Sequence, residues 1–160
     1  MYHKFETVEM IIRRDKYLNQ LIASKHNGLI KIITGLRRCG KSYLLFNLFK
    51  EHLLSNGVSE SHIIRIDLED RRNKELRDPD ALLAHIDSKI KDDEMHYILL
   101  DEVQHVHEFE DVLNSYLKIE NTDVYVTGSN SKFSNSCSIH PQIRERAALH
   151  PVIYSAFHRP

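Results

Sequence analysis

Between an apolar β-forming run and an apolar helical run stands Gly35-Leu36-Arg37-Arg38-Cys39-Gly40-Lys41-Ser42. It matches G-x-x-x-x-G-K-[ST] in full, and each fixed position suits the holding of a polyphosphate. Glycine lets the backbone wrap closely around an anion, so that successive N–H groups point inward. A helix opening near Gly40 aims its positive end at the same charge. The Lys41 ammonium can reach the β- and γ-phosphates, and the Ser42 hydroxyl can ligate Mg²⁺. A chain of average composition would match by accident less than about once in a hundred. The nucleotide-binding segment is therefore read as Gly35 to Tyr43, with Leu36, Arg37, Arg38, Cys39 and Tyr43 at positions the chemistry leaves free. Arg37, Arg38 and Cys39 are expected as exposed loop residues, and Cys39, beside a helix N-terminus, is a candidate reactive thiol.

Two further clusters supply what such a loop needs. HYILLDE ends an apolar run on Asp101 and Glu102. Asp101 suits the aspartate that holds magnesium, directly or through water, and Glu102 suits a general base that activates the attacking water. VYVTGSN ends another run on Thr127, Ser129 and Asn130. A polar side chain there can hydrogen-bond the γ-phosphate or the water. Asn130 is the preferred sensor because an amide can bridge both. The catalytic set is thus Lys41, Glu102 and Asn130, and the metal set Ser42 and Asp101. Among eleven histidines, His105 and His107 are the close pair considered. Without an H-E-x-x-H or Cys/His set they read as solvated loop residues and not as metal ligands.

The elements that must carry these clusters alternate. LIKIIT (29–34), HIIRIDL (62–68), HYILL (96–100) and TDVYVT (122–127) read as strands. SYLLFNLFKEHLLSNG (42–57), closed by Asn56-Gly57, ALLAHIDSKI (81–90), entered through Asp78-Pro79, and FEDVLNSYLKI (109–119) read as helices. Residues 8–24 suggest amphipathic helical pieces, 129–138 a serine-rich loop, and 152–157 a fifth strand. Strands alternating with helices predict a mostly parallel α/β sheet with helices on both faces and right-handed crossovers. All three polar clusters follow strands, so they can converge on the rim beyond the strands' carboxyl ends.

The bulk numbers bound the rest. The chain has 160 residues, 41% hydrophobic and 28% charged, which suits one domain with a sizeable core. Its formal net charge of −1 gives no global sign of DNA binding, although Arg37-Arg38 and Arg71-Arg72 are local basic pairs. Cys39 and Cys137 form no CxxC pattern and suit a reducing compartment. The N-terminus lacks a signal-peptide core, and no apolar run approaches the roughly 20 residues of a membrane span. The expectation is a cytoplasmic protein.

Together the blocks ITGLRRCGKSYLL, ILLDEVQ and VYVTGSNSK resemble the prokaryotic AAA-type P-loop ATPases over roughly residues 9–133. The resemblance implies a P-loop NTPase of the additional-strand type, with strand order 5-1-4-3-2. It also implies ATP and Mg²⁺ as ligands. Lys41 and Ser42 match the Walker A residues, Asp101 and Glu102 the Walker B residues, and Thr127 to Asn130 the sensor segment. An N-terminal helical segment (1–28) would precede an ATPase core (29–157) whose tail departs from the pattern from about residue 134. There Arg144 or Arg146 would stand in for an arginine finger, and the resemblance would leave the chain without the usual, often nuclease-like C-terminal domain, as in a truncated or frameshifted product. The function expected is ATP hydrolysis coupled to a partner protein, a homo-oligomer or an unspecified process, with DNA left open but not indicated by the net charge. The alternatives are a regulatory module that holds ATP without turnover and a small-molecule P-loop kinase.

Overall fold

A computed structural model describes residues 15–129 and 152–156. A helix over 15–23 (α1) leads into strand β1, Ile30–Gly35. The helix after the glycine loop (α2) is one rod of three parts. It opens as an α-helix at Lys41–Tyr43, widens to a π-helix over Leu44–Phe49, and ends as an α-helix over Lys50–Ser55. It stops at Asn56-Gly57, where Gly57 takes φ +86°, a left-handed conformation open to glycine at no steric cost. Strand β2 (Ile63–Asp67) follows, then a 3₁₀ stretch at Arg71–Arg77 and helix α3 (Pro79–Asp87). Asp78 caps α3 by accepting from the Ala81 N–H at 3.0 Å, and Pro79 takes the first turn, where its missing N–H has no intrahelical use. Strand β3 (His96–Asp101), helix α4 (Phe109–Tyr116), strand β4 (Thr122–Ser129) and strand β5 (Val152–Ala156) complete the order.

The sheet runs β5-β1-β4-β3-β2, as the resemblance implied. The three pairings among β1 to β4 are parallel, and β5 lies antiparallel to β1. The chain leaves β1 for the far edge at β2 and then steps back through β3 to β4. Crossovers of one hand put the connecting helices on opposite faces when the direction of travel reverses. The core divides accordingly. Ile32, Ile66, Ile98, Leu100, Val124 and Val126 pack under α3 and α4. Ile33, Ile63, Tyr97, Leu99 and Tyr125 pack under α2, with Leu21 of α1. Even-numbered and odd-numbered strand residues therefore bury on different sides, which is why the strands read as near-continuous apolar runs.

One polar network lies inside this core. Lys31 on β1 is fully buried and ion-pairs with Asp123 on β4. The other Asp123 oxygen accepts from the Tyr125 hydroxyl at 2.8 Å and from the His26 N–H at 3.1 Å. Burial lowers the Lys31 pKa more than the Asp123 charge raises it, and burial beside Asp123 pushes the Tyr125 phenol above its ordinary value. The element ends differ from the sequence reading by up to three residues. The larger difference is the 3₁₀ stretch at Arg71–Arg77, within what the sequence presents as a charged connection. Asp70 starts it by accepting from the Arg72 N–H at 2.9 Å.

Candidate functional site

Parallel pairing brings the carboxyl ends of four strands to one rim. Gly35 of β1 is level with Ser129 of β4, and Asp67 of β2 with Asp101 of β3. From Gly35 the chain passes through the exposed residues Leu36 to Cys39 and enters α2 at Gly40, whose φ of +89° is left-handed. The helical ladder begins with the Leu44 N–H donating to the Gly40 carbonyl at 2.9 Å. The first amides of a helix have no intrahelical acceptor, so this end of α2 carries positive partial charge toward the rim.

Lys41 is 3% exposed, although it is the first residue of a helix. Its ammonium donates to the Leu36 carbonyl at 2.9 Å and the Gly35 carbonyl at 3.3 Å. The loop thus curls around its own lysine. Arg37 reaches away from it to Glu69 at 2.7 Å, an exposed pair that adds little to stability. Cys39 is a free, exposed thiol, and Tyr43 lies on the surface.

The carboxylate of Asp101 is the hub. Ser42 Oγ donates to its Oδ2 at 2.7 Å, and Thr127 Oγ1 donates to its Oδ1 at 2.5 Å. Loss of water on burial raises its pKa above the ordinary carboxylate value. The two hydroxyl donors pull it down by less, and the charges of Glu102 and Asp67 push it further up. Ser42 and Asp101 offer a hydroxyl and a carboxylate, hard oxygen donors that fit a magnesium ion better than a softer metal.

Glu102 sits at φ 54°, ψ 50°, a left-handed conformation rare for a residue with a Cβ and found at functional sites. Three contacts hold it. Its N–H donates to Thr127 Oγ1 at 2.9 Å, its carbonyl accepts from the His105 N–H at 3.1 Å, and Gln104 donates to its side chain. Gln104 Oε1 is buried with no hydrogen-bond partner among the described residues. The turn is a 3₁₀ segment at Val103–His105, and His105 and His107 are exposed, as read from the sequence.

Lys41, Ser42, Asp101 and Glu102 are thus brought to one rim. Thr127 joins them in a role other than the expected one. Its hydroxyl is committed to Asp101 and to the Glu102 N–H, so it braces the carboxylates and is not free to meet a γ-phosphate. Asn130, Arg144 and Arg146 lie outside the described residues. The sequence reading missed Gln104 and the acidic loop after β2. In that loop Asp67 caps Glu69 at 2.9 Å, and Arg77 binds the Leu68 carbonyl at 2.9 Å and the Glu69 carbonyl at 3.0 Å. The cue for Gln104 was its place two residues after Glu102. For the loop the cue was the Asp at a strand end.

Comparison with known proteins places the chain in a family. A family described as an AAA domain matches residues 27–157. An uncharacterized protein of Haemophilus influenzae (strain ATCC 51907 / DSM 11121 / KW20 / Rd) is 34% identical over 122 residues, covering 76% of this chain and 30% of that protein. The chain therefore spans under a third of this relative's length.

Proposed function

Because the chain belongs to the AAA domain family, an ATPase-type P-loop family, we propose that it binds Mg-ATP at this rim and hydrolyses it. The observation that carries the reading is the position of Asp101. It lies one hydrogen bond from Ser42 of the phosphate-loop helix and, through Thr127, one residue's width from Glu102. Backbone amides at the start of α2 and the Lys41 ammonium hold the triphosphate. Lys41 exchanges its two loop carbonyls for phosphate oxygens, which are stronger acceptors because they are charged. Ser42 and Asp101 are the residues that would hold Mg²⁺, whose chemistry is to neutralise charge on the β- and γ-phosphates. Glu102 accepts a proton from water as its oxygen bonds to the γ-phosphorus. The bond from that phosphorus to the bridging oxygen breaks, and ADP and phosphate leave. Gln104 aims the Glu102 carboxylate. Asn130 is retained as the proposed sensor, and Arg144 or Arg146 as the finger.

We place the reaction in the cytoplasm and couple it to a partner protein or to further copies of the chain. A neighbour's arginine commonly raises the rate of such sites, so specific activity should climb with protein concentration.

The test compares ATP binding by calorimetry with phosphate release. Glu102→Gln should keep binding and lose about 10²–10⁴-fold in rate, the range for a general base. Lys41→Ala should lose binding. A Glu102→Gln protein as fast as wild type would remove Glu102 from catalysis. Binding with no turnover in wild type at any concentration would support the regulatory alternative.

A further inference from the structure

Three side chains meet at the end of the sheet opposite the phosphate loop. His62 directly precedes β2, and His96 opens β3. Ile63 is level with Tyr97, so the two histidines are level as well. Their rings meet edge to face with centroids 4.8 Å apart. Asp92 completes the group, with an oxygen 2.9 Å from His62 Nε2 and another 3.9 Å from His96 Nε2. One ligand atom from each of the three lies within 4.8 Å of the other two.

His96 makes this more than a surface cluster. Its residue is fully buried, and its Nε2 has no hydrogen-bond partner among the described residues. Its other nitrogen, Nδ1, lies 2.8 Å from the Glu94 carbonyl, which can only accept. Nδ1 therefore carries a hydrogen, and a ring with no second proton directs a lone pair from Nε2 toward Asp92. The separation of 3.9 Å is too long for a proton to bridge them in a hydrogen bond. A lone pair buried without a partner is costly, and a metal ion is one group that would satisfy it. An imidazole whose second nitrogen donates to a backbone carbonyl is also the usual arrangement of a metal-bound histidine.

The supporting loop is already fixed. The Glu94 N–H donates to Asp92 Oδ1 at 3.0 Å, leaving Oδ2 toward His62. Asn121 donates to the Asp92 carbonyl at 2.9 Å and accepts from the His96 N–H at 2.9 Å.

We propose that His62, Asp92 and His96 form a binding site for a zinc-class divalent cation that clips the entry of β2 to that of β3. Two imidazoles and one carboxylate are a nitrogen–oxygen set suited to zinc, with the fourth position left to water. Bond lengths of about 2.0–2.1 Å in a tetrahedron put ligand atoms about 3.3 Å apart. The widest separation must therefore close by about 1.5 Å, and Asp92, half-exposed on its loop, and His62, partly exposed, are the side chains that can move. This site shares no residue with the nucleotide rim and does not depend on the ATPase reading.

The experiment titrates the chelator-treated full chain with Zn²⁺ while following Tm, and with Co²⁺ while following its visible spectrum. Wild type should bind one Co²⁺ with the intense absorption of a tetrahedral site, and one equivalent of Zn²⁺ should raise its Tm by several degrees. Asp92→Ala removes a half-exposed side chain and His62→Ala one that is partly exposed. Each should stay folded, lose the Co²⁺ spectrum and weaken Zn²⁺ at least about tenfold. Two results overturn the proposal: folded wild type that binds neither ion, or binding that both variants retain, which would put the ion elsewhere, as at Ser42 and Asp101.

Discussion

Asp101 is pulled two ways. Two hydroxyl groups favour its charged form, and burial opposes it, with burial the larger effect. Its folded pKa is raised, so the stability tied to this group is full below the ordinary carboxylate range, near pH 4, and is lost as pH rises through the raised value. Above that raised value the protein carries a destabilising charge. Asp101→Asn removes that charge and keeps the shape. Its Tm at pH 7 should equal or exceed that of wild type, the gap should close as pH falls toward 4, and ATP hydrolysis should be lost. A variant that melts well below wild type at pH 7 would mean that the hydroxyl bonds outweigh burial. Glu102 presents the same tension in the backbone, since a left-handed non-glycine residue persists only where its surroundings hold it.

At the scale of elements, β1 and β4 align the rim, and Lys31 with Asp123 ties them together from within. Removing one member of a buried pair leaves an uncompensated charge, at about 3–5 kcal/mol. Asp123→Ala should lose about that much in urea unfolding at pH 7, and Lys31→Met added to it should recover part. The direction with pH follows from Lys31, whose pKa burial already lowers. Without Asp123 it falls further, and the unfolded state then binds the extra proton. The variant should regain stability as pH rises toward about 10, the ordinary range of lysine. No such recovery would mean that the loss comes from the His26 and Tyr125 contacts of Asp123 instead. The π-helical stretch of α2 has a packing consequence of its own, since its wider turn lets Leu44, Leu45 and Phe46 all bury.

For the whole molecule, binding at the rim should stabilise the entire fold, because the loop, β3 and β4 are parts of one sheet. Mg-ATP at a hundred times its Kd should add about 2.7 kcal/mol, or roughly 5–10 °C in Tm for a chain of this size. Lys41→Ala should show no such rise, and a rise equal to wild type would place the nucleotide elsewhere. Among the described residues no helix is long and apolar enough to cross a membrane. Strand identity, the glycine loop and the place of the Asp101-Glu102 pair at a strand end were legible from the chain alone, since each rests on neighbours within a few residues: apolar runs, a glycine turn, a helix start. Resemblance to a known family supplied the strand order. Neither could assign Thr127 to bracing Asp101 across 26 positions, or pair Lys31 with Asp123 across 92, or gather His62, Asp92 and His96 at the far end. Those contacts exist only once strand order and register are set, and register is decided by which side chains fill the two buried faces of the sheet together.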